Sequence, residues 1–516
     1  MSAEPSNREH HGLTRRQVLQ VYGAGVVAVG GGALAAERLG LFPDNAPERI
    51  LATSADVAAL ERRRPQTGQI RSLRLTAAPT DIDLAGKQAA TWAFNGATPH
   101  SEIRATAGDV ISARLDNQLP DPTTIHWHGL ALRNDMDGVP NVTRPAIPAK
   151  GSFTYRFTAP DPGTYWFHPH VGVQLDRGLY GPLIIEDPQE PLAYDSEAIL
   201  VLDDWTDGIS TRPDQILADM QKQGMRNMGS MSSMNGMSPN SSGMGITADK
   251  PLGADTGDVD YPLHLINGHP PADPIVLSAK PGQRLRLRII NAASDTAYRF
   301  AIGGHKLNVV HTDGYPVVPV TTDTLVIGMG ERYDVIVEAS DGAFPIVAQP
   351  EGKTGSPGFA VLRTASGATP PPTAAELKGR LLTYAQLAPA PDVRLPKQTA
   401  DRTLKVDLTM KNGGRQWLIN GKAYPGYKPL NVKTGERVQL DFTNRTMMFH
   451  PMHVHGHTFA LVQNGSPGVR KDTLNVLPMQ RLSVVLDASN PGQWLVHCHN
   501  AYHGELGMMT VLSYIR

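Results

Sequence analysis

A threefold repeat constrains this chain more than any other feature. Trp92-Ala93-Phe94-Asn95-Gly96 is followed by Gly108 and Asn117, Leu265-Ile266-Asn267-Gly268 by Gly282 and Asn291, and Leu418-Ile419-Asn420-Gly421 by Gly435 and Asn444. Each copy is an Asn-Gly turn, then a glycine with an asparagine nine residues later. Apolar and polar residues alternate between that glycine and asparagine, the period of a half-buried strand. The glycines at 108, 282 and 435 stand 174 and 153 residues apart, which is domain spacing and far too long for a solenoid repeat. Composition agrees: 50 Gly and 42 Pro among 516 residues, about 18%, suit strands joined by many turns. The expected class is all-β, with three related β-sandwiches.

A second correspondence links only the outer copies. His126-Trp127-His128-Gly129 matches His453-Val454-His455-Gly456. Pro162-Gly163 followed by His168-Pro169-His170 matches Pro491-Gly492 followed by His497-Cys498-His499. The middle copy has no His-x-His, and its counterpart segment, Gly330 to Val335, reads as plain strand. The outer copies therefore carry the chemistry and the middle one holds them in place. Turn-rich Asp187-Pro188 and the run Pro370-Pro371-Pro372 set domains at 66–191, 192–370 and 371–516. Lysine plus arginine (48) balance aspartate plus glutamate (49), so no charge excess points to nucleic acid.

Residues i and i+2 of a strand share a face, so each His-x-His pair projects two imidazoles together. Eight clustered imidazoles suit several copper or zinc ions. The single cysteine, Cys498, excludes a disulfide framework and a cysteine-rich zinc module. It lies between His497 and His499, so on a strand its thiolate faces away from them. His450, three residues before His453, has the parity of Cys498, and the spacing Cys498-x4-His503-x4-Met508 adds an imidazole and a thioether. Two imidazoles, a thiolate and a distant thioether form a blue-copper set. One short peptide segment thus joins an electron-accepting centre to a cluster suited to dioxygen, whose reduction to water takes four electrons.

These motifs resemble the multicopper oxidases, the three-domain group of bacterial laccases and cuprous oxidases, from about residue 70 to the end. The resemblance implies three consecutive cupredoxin-like Greek-key sandwiches and four copper ions. By it, His450, Cys498, His503 and Met508 hold type 1 copper, and His126 and His453 type 2. His128, His168 and His499 hold one type 3 ion, and His170, His455 and His497 the other. It also implies that Asp137, eleven residues after His126, helps deliver protons to reduced oxygen. Gly504 stands where relatives often have a glutamate, with Glu505 next, whose role is left open. Met448 resembles a substrate-copper methionine, although Thr446 stands where an aspartate is usual.

Met225, Met228, Met231, Met234 and Met237 recur every third residue among Gly, Ser and Asn, within a methionine-rich insertion at 220–244. Thioethers select Cu(I), so the segment is expected to capture cuprous ions. Arg15-Arg16 before the apolar stretch Val21 to Ala36 resembles a twin-arginine signal, making residues 1–36 a leader for export to the periplasm or beyond. No later segment is apolar enough to span a membrane, and a monomer is favoured. The expected function is oxidation of Cu(I) or phenolic donors coupled to dioxygen reduction, in copper tolerance. A non-catalytic exported copper-sequestering or scaffold protein is the alternative, though a pure store has no need of the Cys498 wiring. A specialised phenol or pigment oxidase differs from the first reading only in the methionine segment.

Overall fold

The computed structural model describes residues 47–224 and 246–516. The leader and the run Met225 to Met237 lie outside the described residues. Among these residues the strands form six sheets in three consecutive pairs, each pair a β-sandwich. The first holds two four-stranded sheets between Ile70 and Glu186. The second (Ser196 to Arg363) and third (Arg402 to Tyr514) each pair a six-stranded sheet with a five-stranded one.

The repeat has a structural cause. In each sandwich the first strand pairs in parallel with the strand that ends at the repeated asparagine: Ile70–Leu84 with Val110–Asn117, Ser196–Trp205 with Arg284–Asn291, and Arg402–Lys411 with Arg437–Asn444. Parallel neighbours cannot be joined by a hairpin. The chain instead visits the opposite sheet through Ile103–Thr106, Ile275–Ser278 or Leu430–Val432 before returning. Asn95-Gly96, Asn267-Gly268 and Asn420-Gly421 have positive φ at both residues, the backbone of the tight hairpin turn that favours Asn-Gly. Each turn asparagine also bonds back to the first strand, as when Asn95 Oδ1 accepts from Thr76 N–H at 2.7 Å. The strand-ending asparagines donate to carbonyls of later segments: Asn117 to Asp121 and Ile147, Asn291 to Thr296 and Ile327, and Asn444 to Met448, Val476 and Leu477. Buried loop carbonyls need such partners, which explains one asparagine per copy.

A continuous apolar core that includes Trp127, Phe300 and Trp494 runs through all three sandwiches. Among the described residues no helix is long and apolar enough to cross a membrane. The core strands place the histidines. His126–His128 pairs with Gly163–His168, and His450–Val454 pairs with Gln493–Cys498.

Candidate metal centre

Register decides which side chains meet. His453 lies opposite His497 and Met452 opposite Cys498, so His497 and Cys498 project to opposite faces. On the Cys498 face, Sγ lies 3.7 Å from His450 Nδ1 and 3.7 Å from His503 Nδ1, and these nitrogens are 3.2 Å apart. His503 comes from the short helix Ala501–Glu505, capped by Asn500, whose side chain accepts from the N–H groups of Tyr502 and His503. Met508 is buried; its N–H donates to the His503 carbonyl, and its carbonyl accepts from Cys498 N–H. Three buried donor atoms this close, two imidazole nitrogens and a thiol sulfur, have the donor chemistry of a copper site.

On the other face the outer sandwiches meet through eight imidazoles. The rings of His126 and His455 stack at 3.7 Å, and those of His128 and His453 at 3.9 Å. His170, His455 and His497 converge, with His497 Nε2 lying 3.0 Å from His455 Nε2 and 3.4 Å from His170 Nε2. Burial, reinforced by neighbouring imidazoles, holds His168, His170, His455, His497 and His499 well below the usual histidine range. They are therefore neutral, the form that ligates metals. His126 Nε2, His128 Nδ1, His168 Nε2, His453 Nε2 and both nitrogens of His499 are buried without a hydrogen-bond partner. Buried polar atoms are normally satisfied, so inward nitrogens left bare in one cluster fit metal ions. The described residues thus bring together every histidine expected as a ligand.

The outward nitrogens are held by the chain itself. His168 and His497 use the carbonyls of Pro169 and Cys498. Asp137 bridges the sandwiches: Oδ2 lies 3.0 Å from His455 Nδ1, while His126 Nδ1 bonds the Asp137 main-chain oxygen at 3.1 Å with Oδ1 also at 3.1 Å. The turn that aims Asp137 needs the next residue to be glycine. Gly138 has φ +81°, and a Cβ there would sit 1.8 Å from the Ile125 carbonyl oxygen, one residue before His126. Gly138→Ala is expected to lower stability by at least about 1–3 kcal/mol, measured as a shifted denaturant midpoint; an unchanged midpoint would refute this packing.

Sequence reading missed Asp472, which does for His128 and His453 what Asp137 does for His126 and His455. Its main-chain oxygen accepts from His453 Nδ1 at 2.9 Å, and its Oδ1 lies 3.3 Å from His128 Nε2. Burial would push its carboxyl up, but Arg332, His128 and His453 outweigh that and hold it well below the usual range. Gly330–Val335, read as plain strand, begins with a turn, and its strand runs Arg332–Glu338. Gly330 packs so closely that a Cβ would lie 2.8 Å from the His499 ring and 3.0 Å from that of His128.

Asp258 was also missed. Its Oδ2 lies 2.8 Å from His503 Nε2. Burial lowers the affinity of His503 for a proton, but Asp258 and Cys498 outweigh it and raise the imidazole to about 10. Asp258 lines a cleft of about 190 Å3 with Thr206, Ser210, Asp219, Met220 and Asp260. Thr446 Oγ1 is 2.8 Å from His450 Nε2, and the backbone of Asp255 forms a β-bridge with that of Met448. Met448 itself is buried. Glu505 lines a small cavity with His168, His170, His497 and His499, and burial pushes its carboxyl up to about 7. His457 bonds the His455 carbonyl and the Tyr514 hydroxyl, and His264 bonds Tyr298.

Known proteins resemble this chain in sequence and fold. Three family models described as multicopper oxidase match residues 76–190, 196–367 and 398–515. The chain belongs to the multicopper oxidase family. It is 47% identical over 468 residues to multicopper oxidase MmcO of Mycobacterium tuberculosis, covering 90% of each chain. It is 30% identical to a copper resistance protein A homolog of Pseudomonas syringae pv. tomato, covering 84% of this chain and 90% of that one. Among solved structures, the laccase from Botrytis aclada aligns with a TM-score of 0.72 and 26% identity, covering 88% of this chain and 89% of that one. The protein is thus a copper-binding oxidoreductase that uses oxygen and a reduced substrate.

Proposed function

We propose that this enzyme takes electrons singly from Cu(I) and small phenolic donors at His503 and delivers them through Cys498 to the histidine cluster, where dioxygen is reduced to water. One observation carries this reading. Cys498 faces His450 and His503, while its chain neighbours His497 and His499 face the cluster, so a few covalent bonds separate the two centres. The ligands are those expected: His450, Cys498, His503 and Met508 for type 1, and His126 and His453 for type 2. His128, His168 and His499, with His170, His455 and His497, serve type 3. Four copper ions so held supply single-electron uptake at the thiolate and four-electron reduction of dioxygen at the cluster.

The residues prepare each step. Asp258 orients the His503 ring by its outer nitrogen and marks the cleft as the donor's entry. Asp219, Asp258 and Asp260 make that cleft acidic, which favours a cationic donor. The helix Pro213–Gln223 that walls it precedes the methionine-rich stretch in the sequence, whose thioethers are soft ligands for cuprous ions. Asp137 holds His126 and His455, and proton delivery to reduced oxygen is its further assigned role. Domain boundaries at 192 and 370, export by the twin-arginine route and a part in copper tolerance complete the reading.

Oxygen uptake with Cu(I) and with a panel of phenols, side by side, tests it. Deleting residues 225–244 leaves buried Met220 in its helix. The deletion should impair Cu(I) oxidation more than phenol oxidation. Equal losses would reduce the segment to a linker. Copper-loaded protein that consumed no oxygen with either donor would favour the sequestering alternative.

A further inference from the structure

The middle sandwich contributes no proposed ligand, yet one of its side chains touches all three sandwiches beside the cluster. Arg332 is fully buried. Its Nε donates to the Thr164 carbonyl of the first sandwich at 3.1 Å. Nη1 and Nη2 donate to Asp472 Oδ1 and Oδ2 of the third at 2.7 and 2.6 Å, and Nη1 also meets its own sandwich at the Gly330 carbonyl. Asp313, again from the middle sandwich, accepts from the backbone N–H groups of Asp472 and Thr473 at 3.2 Å. Both the side chain and the backbone of Asp472 are thus gripped from the middle sandwich. Asp472 in turn meets His128 of the first sandwich and His453 of the third, whose stacked rings span the joint.

The motif His126-Trp127-His128-Gly129 ends in glycine for the same reason. A Cβ on Gly129 would lie 2.4 Å from Arg332 Nη2 and 2.7 Å from Asp472 Oδ2. The ion pair occupies the space a side chain would need.

We infer that Arg332 is a positioning residue through which the middle sandwich sets His128 and His453, by fixing the carboxylate and carbonyl of Asp472 against their outer nitrogens. The inference rests on the proposed copper assignment of those two histidines. A planar guanidinium supplies donors in the several fixed directions this joint uses, whereas an ammonium supplies charge without the paired geometry. Partners of metal-bound histidines set ring orientation, and their loss typically costs about 10–100-fold in metal affinity or activity.

Full-length, copper-loaded Arg332→Gln and Arg332→Lys test this. The type 1 blue band serves as an internal reporter of folding, because its ligands lie on the opposite face of the Cys498 strand. The expected result is an unchanged blue band, a type 2 paramagnetic resonance signal lost or altered, and copper content down by about one ion per chain. The turnover number should fall about 10–100-fold, with KM for the donor unchanged, since the donor enters at His503. A wild-type type 2 signal and turnover in both variants would overturn the assignment. So would joint loss of the blue band and the type 2 signal in both, which would make Arg332 a support of the fold as a whole. Failure of the copper assignment would appear differently, as wild-type protein that lacks the blue band or the type 2 signal.

Discussion

Replacing Cys498 with serine is expected to remove the blue colour and the oxygen uptake together, while copper at the histidine cluster remains. The colour arises from charge transfer between thiolate and copper, and serine has no thiolate to offer. A hydroxyl is a hard donor that stays protonated at neutral pH, so it does not complete a soft site. The change also removes the thiolate bond to the metal through which electrons would pass into the chain between His497 and His499. Turnover should fall by more than the roughly 100-fold that loss of a ligand's outer partner can cost. The cluster side should survive, because Sγ points away from the eight imidazoles and the register of His453 against His497 is unaltered. Absorbance, paramagnetic resonance of type 2 copper and oxygen uptake on one preparation decide the matter. Retained turnover without colour would remove Cys498 from the electron route.

Asp137→Asn is expected to do the reverse: blue protein with a damaged cluster. The carboxylate lies with Oδ2 3.0 Å from His455 Nδ1 and Oδ1 3.1 Å from His126 Nδ1, and both outer nitrogens must carry their protons so that the inner nitrogens can ligate. An asparagine offers one acceptor and one donor group. With its oxygen toward His455, its NH2 faces the N–H of His126; turned round, it faces that of His455. His126 keeps the main-chain carbonyl of residue 137 as its acceptor, so the damage comes from the NH2 pressing on whichever imidazole N–H it faces and, when turned toward His455, from the lost hold on that ring. Copper occupancy at the cluster, or turnover, should drop about 10–100-fold, with the blue band retained and the fold little changed, since the two side chains are nearly isosteric. Metal analysis with absorbance checks this, and full occupancy with full turnover would show that Asp137 does not orient the rings.

The two expected results differ in how far the sequence could foresee them. The meeting of Cys498 with His503 was legible because the two are close in the chain. Strand parity separates Cys498 from His497 and His499, and the x4 spacings bring His503 and Met508 back through one short helix. Asp137 was found through its distance from His126 and the family likeness, but its hold on His455 spans 318 residues. Asp472, Arg332 and Asp258 carried no such signal. Arg332 meets Asp472 across 140 residues and Asp258 meets His503 across 245, and a carboxylate paired with a distant base has no period to read. Asp255 likewise reaches the Met448 backbone from another sandwich.

By itself the sequence determined the parts whose geometry follows from chain neighbours. These are three sandwiches from Asn-Gly turns and strand-ending asparagines, paired imidazoles on alternating positions, and a thiolate on the reverse face. The tertiary structure alone decided how the parts are aimed. It closed the outer sandwiches on each other, bared the inward nitrogens, and brought carboxylates from distant loops to the outward ones. It also turned a middle copy without ligands into the source of Arg332. Backbone periodicity is local and survives in the sequence, whereas burial of charge against charge exists only once distant segments have packed and water has left the joint.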